Sequence, residues 1–211
     1  MHNIKNIIFD LGGVILNIDL KKNNDAFHSL GLENFGQHIN QFHITDLFLQ
    51  YETGQIDDIG FIEGVGKLSD KPMSQDEIVN AWNALLLDFP RERIDLLKKI
   101  KPKYRTFLLS NTNSIHLKEF QQRLHNEQGV FLEDLFEKAY YSHVVKLRKP
   151  HADIFSLVLK ENNLAPSETL FIDDTESNFP EAQKLGIQIY HLKHGMSITD
   201  MDIFKNQTEK N

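Results

Sequence analysis

The apolar positions of this chain fall into short runs separated by segments of helical spacing. Ile4–Phe9, Thr106–Leu109, Thr169–Ile172 and Gln188–His191 predict buried strands, with Lys138–Tyr141 a weaker fifth. Between them lie helical patterns. Arg91–Ile100 follows Pro90, a favoured helix-start residue. Ala152–Asn162 places Ile154, Phe155, Val158 and Leu159 on one face, and Pro180–Leu185 stops at Gly186. Strands alternating with helices predict an α/β fold, a parallel sheet with helices on both faces. The stretch 19–88 breaks the alternation: it holds no strong strand run and reads as helices with charged faces, punctuated by Gly31, Gly36, Gly54 and the Gly64/Gly66 pair. The predicted organisation is a core of residues 1–18 and 89–205 with a helical insertion, 19–88, after the first strand. There Phe42, Phe48, Tyr51, Phe61 and Trp82 are expected to pack together rather than meet a ligand. The polar tail from Lys205 is expected to fray.

Ligands of such sheets bind beyond the carboxyl ends of the strands, and the strand ends here carry the polar residues. The first strand ends on Asp10, followed by Gly12 and Gly13, which let backbone approach whatever binds there. The second ends in Ser110-Asn111-Thr112-Asn113, where a hydroxyl and free N–H groups at a helix start suit a phosphate. Lys149-Pro150 precedes Ala152–Asn162, with Lys146 and Arg148 as competing cations. The strand Thr169–Ile172 ends in Asp173-Asp174, with Asn178 shortly after. Two adjacent acids at a buried tip repel unless one takes a proton or a cation intervenes. A hard divalent ion with oxygen ligands, Mg²⁺, answers that need. A carboxylate nucleophile, a hydroxyl, a lysine and a metal-binding acid pair together suit phosphoryl transfer through an aspartyl-phosphate.

Composition narrows this picture. The net charge of −7 argues against nucleic acid or an anionic membrane as partner, and no apolar stretch reaches the length of a membrane span. With no cysteine among 211 residues, thiolate chemistry is excluded, and with no signal-peptide pattern at the start a cytoplasmic setting is expected. The ten histidines form no metal-binding spacing.

The four strand-end segments, in this order, resemble the four motifs of the haloacid dehalogenase-like superfamily, over about Ile4 to Leu192. The resemblance implies a Rossmann-like core, with 19–88 in the position of that family's helical cap. It implies Asp10 as nucleophile, Ser110 and Asn111 with Lys149 as phosphate-binding residues, and Lys149 as a catalytic residue. It implies Mg²⁺ held by Asp10, the backbone carbonyl of Gly12 and Asp174, with Asp173 a further ligand and Asn178 behind it. Most of the family's phosphatases carry a second aspartate where this chain has Gly12; that acid protonates the leaving oxygen and is worth about 10²–10⁴-fold. The run Asp10–Asp19, together with Gly54-Gln55-Ile56, is similar to a branch of bacterial sugar-phosphate phosphatases, including alpha-D-glucose-1-phosphate phosphatases, that has glycine there as well. The expected activity is therefore a Mg²⁺-dependent phosphatase acting on a small phosphorylated metabolite such as a sugar phosphate. Two alternatives stand beside it: a carbon–halogen hydrolase, which uses an aspartate without metal, and a silent relative that binds without catalysis. The pair Asp173-Asp174 favours phosphate.

Overall fold

The computed structural model describes residues 3–33, 35 and 44–205. Gly36, Phe42 and the tail from residue 206 lie outside the described residues. The expected parallel sheet is present: β1 (Asn6–Phe9), β2 (Arg105–Ser110), β3 (Lys138–Tyr141), β4 (Thr169–Asp173) and β5 (Gln188–His191), in the order β3-β2-β1-β4-β5. All four neighbouring pairs run parallel. β1 sits at the centre with β2 and β4 on its two sides, in register from Asn6 against Arg105 and Thr169. The chain thus leaves β1 toward one half of the sheet and later fills the other, and a crevice opens at the end of β1.

Burial on both faces explains why these strands read as continuous apolar runs rather than as alternations. Ile7, Phe9, Leu108, Leu170 and Ile172 face one side, packed by α5 (Arg91–Ile100) and α6 (Ser114–Gln128). Ile8, Phe107, Leu109 and Phe171 face the other, packed by α9 (Ala152–Glu161) and α10 (Phe179–Lys184). Two short helices, α7 (Leu132–Leu135) and α8 (Ser142–Val145), flank β3. Predicted and observed ends differ by a residue or two. α9 stops before Asn162, whose side-chain amide turns back to the Val158 carbonyl at 2.8 Å and ends the ladder.

The described part of 19–88 is helical, as its pattern predicts: α1 (Leu20–Ser29), α2 (Ile44–Glu52), α3 (Asp58–Gly66) and α4 (Gln75–Asn83). Each start that is described has a chemical reason. Asp19 caps α1 and Asp57 caps α3, while Ser74 and Glu77 form a reciprocal capping box on α4. These helices enclose their own apolar cluster, in which Phe48, Tyr51, Phe61 and Trp82 sit as expected, and the Tyr51 and Phe61 rings stack at 4.2 Å. The chain enters and leaves this segment side by side. Ile18 bridges Leu86 in antiparallel fashion, with Asn17 N–H donating to the Asp88 carbonyl at 3.0 Å and Leu87 N–H to the Asn17 carbonyl at 3.0 Å. No helix among the described residues is long and apolar enough to cross a membrane.

A buried histidine joins the helical segment to the sheet core. His116, on α6, stacks on Trp82 at 4.6 Å. Its Nδ1 lies 3.1 Å from the Asn113 amide nitrogen and its Nε2 lies 3.0 Å from the Trp82 carbonyl. Both contacts are satisfied together when Nε2 carries the proton and Nδ1 accepts, the neutral tautomer. Burial pushes the His116 pKa down to about 4, against the partial opposition of the Trp82 carbonyl. The sign follows from linkage. The unfolded chain takes up this proton near pH 6.5 and the folded chain only near pH 4, so stability falls as pH drops through that window. Between pH 7 and 5 the loss is roughly 2 kcal/mol. Urea unfolding of wild type and His116→Gln at both pH values checks this, and the variant is expected to lack that increment.

Candidate active site

The sheet brings the predicted residues together at one rim. Asp10 follows β1 directly, and its N–H donates to the Ile172 carbonyl of β4 at 2.9 Å, so its backbone continues the ladder. Ser110 ends β2 and Asp173 ends β4. Lys149 arrives from the loop between α8 and α9. Its Nζ donates to Asp10 Oδ1 at 2.7 Å and to Asp173 Oδ2 at 2.7 Å, with the side chain only 2% exposed. Of the three cations near that loop, Lys149 is the one that enters; Lys146 is exposed and Arg148 turns elsewhere.

Each carboxylate has a distinct set of neighbours. Asp173 is fully buried and engaged by protein donors: Lys149, the Thr175 N–H at 2.7 Å, and the Asn178 amide at 3.2 and 3.0 Å. Asn178 therefore stands behind Asp173, the place expected of it. Asp174 is more open and takes a hydrogen bond from the Thr175 hydroxyl at 3.1 Å. Its backbone carbonyl is 3.0 Å from His191 Nε2, a contact from the end of β5. Gly13 explains why the turn after Asp10 needs a glycine: φ is +72°, and a Cβ there would collide with Asp174 Oδ2. Gly12 has no such constraint. A Cβ there would meet only the Ile18 side chain, at 3.3 Å, so the missing acid is not imposed by the backbone.

Ser110 is buried, and its hydroxyl has no hydrogen-bond partner among the described residues. Asn111 has a different use. Its side-chain amide accepts from Lys149 N–H at 2.9 Å and donates to the Lys149 carbonyl at 3.0 Å, a two-point clamp on the lysine's own peptide. The clamp uses one of the two N–H donors of this amide and leaves the other for the phosphate contact expected of Asn111. Nothing in the sequence pattern announced the clamp, because it joins residues 38 apart. The same holds for a contact between Glu52 and Arg148 at 3.0 Å.

The electrostatics leave an unmet demand for positive charge. Oxygens of Asp10, Asp173 and Asp174 lie within 4.8 Å of one another. Three carboxylates against one ammonium leave two negative charges. Burial raises the Asp10 pKa to about 7; Lys149 opposes this and Asp173 adds to it. Asp174 is raised by burial first and by Asp173 second. Burial alone would push Lys149 down, but Asp10 and Asp173 outweigh it and hold it above its ordinary value. The lysine therefore stays charged. A hard dication with oxygen ligands fits both the donor set and the residual charge.

Mg²⁺ is accordingly expected to raise the melting temperature in a concentration-dependent way that chelator reverses, and Asp174→Asn is expected to reduce that rise. Gly13→Ala is expected to cost at least about 1–2 kcal/mol and to weaken the Mg²⁺ response, because both the backbone conformation and Asp174 are disturbed. Thermal melts with and without Mg²⁺ check both.

With this geometry in hand, comparison with known proteins is informative. A family model described as haloacid dehalogenase-like hydrolase matches residues 4–186. The chain is 32% identical over 192 residues to a D-ribitol-5-phosphate phosphatase of Bacteroides thetaiotaomicron, covering 91% of this chain and 93% of that one. A crystal structure of an enzyme of the same family from Bacteroides thetaiotaomicron, in complex with magnesium and inorganic phosphate, superposes with a TM-score of 0.86 at 39% identity, covering 93% of this chain and 98% of that one. L-2-haloacid dehalogenase from Xanthobacter autotrophicus shares the fold, at a TM-score of 0.59 and 21% identity over 90% of this chain and 77% of that one.

Proposed function

This chain belongs to the haloacid dehalogenase-like hydrolase family, and from that premise we propose that its Asp10–Lys149 site hydrolyses phosphorylated sugars or polyols through an aspartyl-phosphate. The enzyme is a Mg²⁺-dependent phosphoric monoester hydrolase. The observation that carries the residue roles is the buried Lys149 ammonium, 2.7 Å from Asp10 and 2.7 Å from Asp173, beside a third carboxylate on Asp174.

Asp10 is the nucleophile. Lys149 favours its ionised form against the burial that raises its pKa to about 7, and presents positive charge toward the phosphoryl oxygens. A carboxylate oxygen of Asp10 attacks phosphorus and the bond to the leaving oxygen breaks. Water then attacks the phosphorus of the aspartyl-phosphate, releasing inorganic phosphate and restoring the carboxylate. Ser110, with its unpartnered hydroxyl, donates to a phosphoryl oxygen. Asp10, the Gly12 carbonyl and Asp174 would hold the Mg²⁺; Asp173, engaged by protein donors, supports Lys149. Bound Mg²⁺ supplies the neutralising charge that lets an anionic carboxylate approach an anionic phosphate. Asn111 acts on the lysine's peptide, and 19–88 serves as the cap over the strand ends, excluding water and shaping the substrate space.

The glycine at position 12 shapes substrate preference. With no side chain there to protonate the leaving oxygen, substrates whose leaving group needs least help have the advantage: anomeric phosphates over primary alkyl phosphates. The similarity to a D-ribitol-5-phosphate phosphatase makes polyol phosphates the natural comparison within the panel. The dehalogenase alternative is not favoured, since it gives the Asp173-Asp174 pair no purpose.

Phosphate release from a metabolite panel, with Mg²⁺ and with chelator, tests the proposal. Asp10→Asn is expected to lose roughly 10⁴-fold or more in kcat. Equal turnover of glucose 1-phosphate and glucose 6-phosphate would count against the leaving-group argument. Gly12→Asp is expected to speed alkyl phosphates more than aryl phosphates, once the Ile18 side chain yields by a few tenths of an ångström.

A further inference from the structure

The loop carrying Lys149 is fastened at more points than its own chemistry requires. Its start is left-handed at Lys146, with φ +58°, a conformation that a non-glycine residue keeps only where its surroundings impose it. The Lys149 peptide is clamped by Asn111, and the Arg148 carbonyl accepts from His151 N–H at 3.1 Å. The remaining tie comes from the helical segment. Glu52, the last residue of α2, meets the Arg148 guanidinium at 3.0 Å, Oε2 to Nη2, with both side chains 27% exposed. Arg148 Nε is buried and has no hydrogen-bond partner, so Glu52 is the described anion that holds this guanidinium.

The turn that follows Glu52 is seated against the same region. Gly54 has φ +61°, and a Cβ there would collide with the His143 carbonyl, so only glycine permits this approach of backbone to backbone. One residue before Glu52, the Tyr51 hydroxyl accepts from Ile115 N–H at 3.2 Å and donates to Asp58 at 2.7 Å, while the Ser114 hydroxyl also bonds Asp58. The corner 51–54 thus touches the segment after β2, which follows Ser110, and the segment after β3, which leads to Lys149. Burial pushes the Glu52 pKa up, with Arg148 and, at longer range, Lys149 opposing it.

We infer that Glu52 is a positioning residue of the hydrolysis: acting through Arg148, it fixes the loop that sets the Lys149 ammonium between Asp10 and Asp173. The inference rests on the phosphatase reading of Asp10 and Lys149 given above. An ion pair that keeps about a quarter of each side chain exposed contributes modestly to stability, but a displacement of about 1 Å at a reacting group costs about 10²-fold in rate. Loss of this pair is therefore felt in turnover rather than in folding. It also makes the placement of Lys149 depend on the helical segment, so a disturbance of α2 reaches the reaction without touching the sheet.

The test is a double-mutant cycle in steady-state kinetics with saturating Mg²⁺, using p-nitrophenyl phosphate and an alkyl sugar phosphate side by side. Glu52→Gln and Arg148→Gln are each expected to lower kcat by about 10- to 100-fold on both substrates. KM is expected to stay within about threefold and the thermal melt close to wild type. The double variant is expected to be no worse than either single one, because the two residues act as a unit. Glu52→Asp, which keeps the charge, is expected to recover part of the rate. Wild-type release of phosphate and its loss in Asp10→Asn are the controls: if they fail, the phosphatase reading falls rather than this one. Unchanged kcat in folded single variants, or additive losses, would overturn the positioning role. So would a loss confined to the alkyl substrate, which would make Glu52 an acid, or a rise in KM alone, which would place the pair on the substrate. Should Glu52→Gln fail to fold, Glu52→Asp and Arg148→Gln carry the same comparison.

Discussion

One buried ammonium organises the catalytic end of this protein. Lys149 Nζ bridges Asp10 and Asp173 at 2.7 Å each, in a space closed to solvent, with the lysine 2% and the Asp173 side chain 0% exposed. Removing one member of a buried charge group typically costs about 3–5 kcal/mol, because the others are left uncompensated. The requirement runs in both directions. The acids keep the lysine charged, and the lysine opposes the burial that raises the Asp10 pKa to about 7. Much else in the rim serves that contact: Asn111 grips the lysine's peptide, Asn178 and the Thr175 N–H complete Asp173, and the Gly13 turn leaves room for Asp174.

The sheet makes this possible because it holds its strand ends rigidly. β1 is central, so Asp10 projects from the strand with neighbours on both sides, and its N–H is still part of the ladder with β4. Hydrophobic burial on both faces fixes the strands, and with them the carboxylates that end them. The helical segment has its own aromatic cluster and meets the core through separate contacts: the crossing at 17–19 and 85–88, the His116–Trp82 stack, the Tyr51–Asp58–Ser114 bonds and the Glu52–Arg148 pair. Two of these, from Tyr51 and Glu52, land on the segments that follow β2 and β3. The helical segment is thereby fastened to the loops beside the strand-end carboxylates.

Gly12 shows how one position separates members of a common fold. The motif around it is intact and its backbone is unstrained, yet no acid projects there. A backbone carbonyl at this position does not depend on the missing side chain; proton delivery does. Substrate chemistry must then supply what the residue does not, which is why the leaving group becomes the variable of interest.

The strands, the order in which polar residues end them, and the helical nature of the described part of 19–88 were legible in the sequence. They are written in local patterns, namely apolar runs, capping residues and turn glycines, whose physics spans a few residues. Asp10, Ser110, Lys149 and Asp173-Asp174 were legible for the same reason, since each closes or follows such an element. The tertiary structure decided the rest. It chose Lys149 over Lys146 and Arg148, because only one of three nearby cations comes to lie between the acids. It gave Asn111 to the lysine's peptide, saturated Asp173 while leaving Asp174 open, and brought Glu52 to Arg148 across 96 positions of sequence. Such contacts depend on which loops converge at one rim, and no period or spacing along the chain records that convergence.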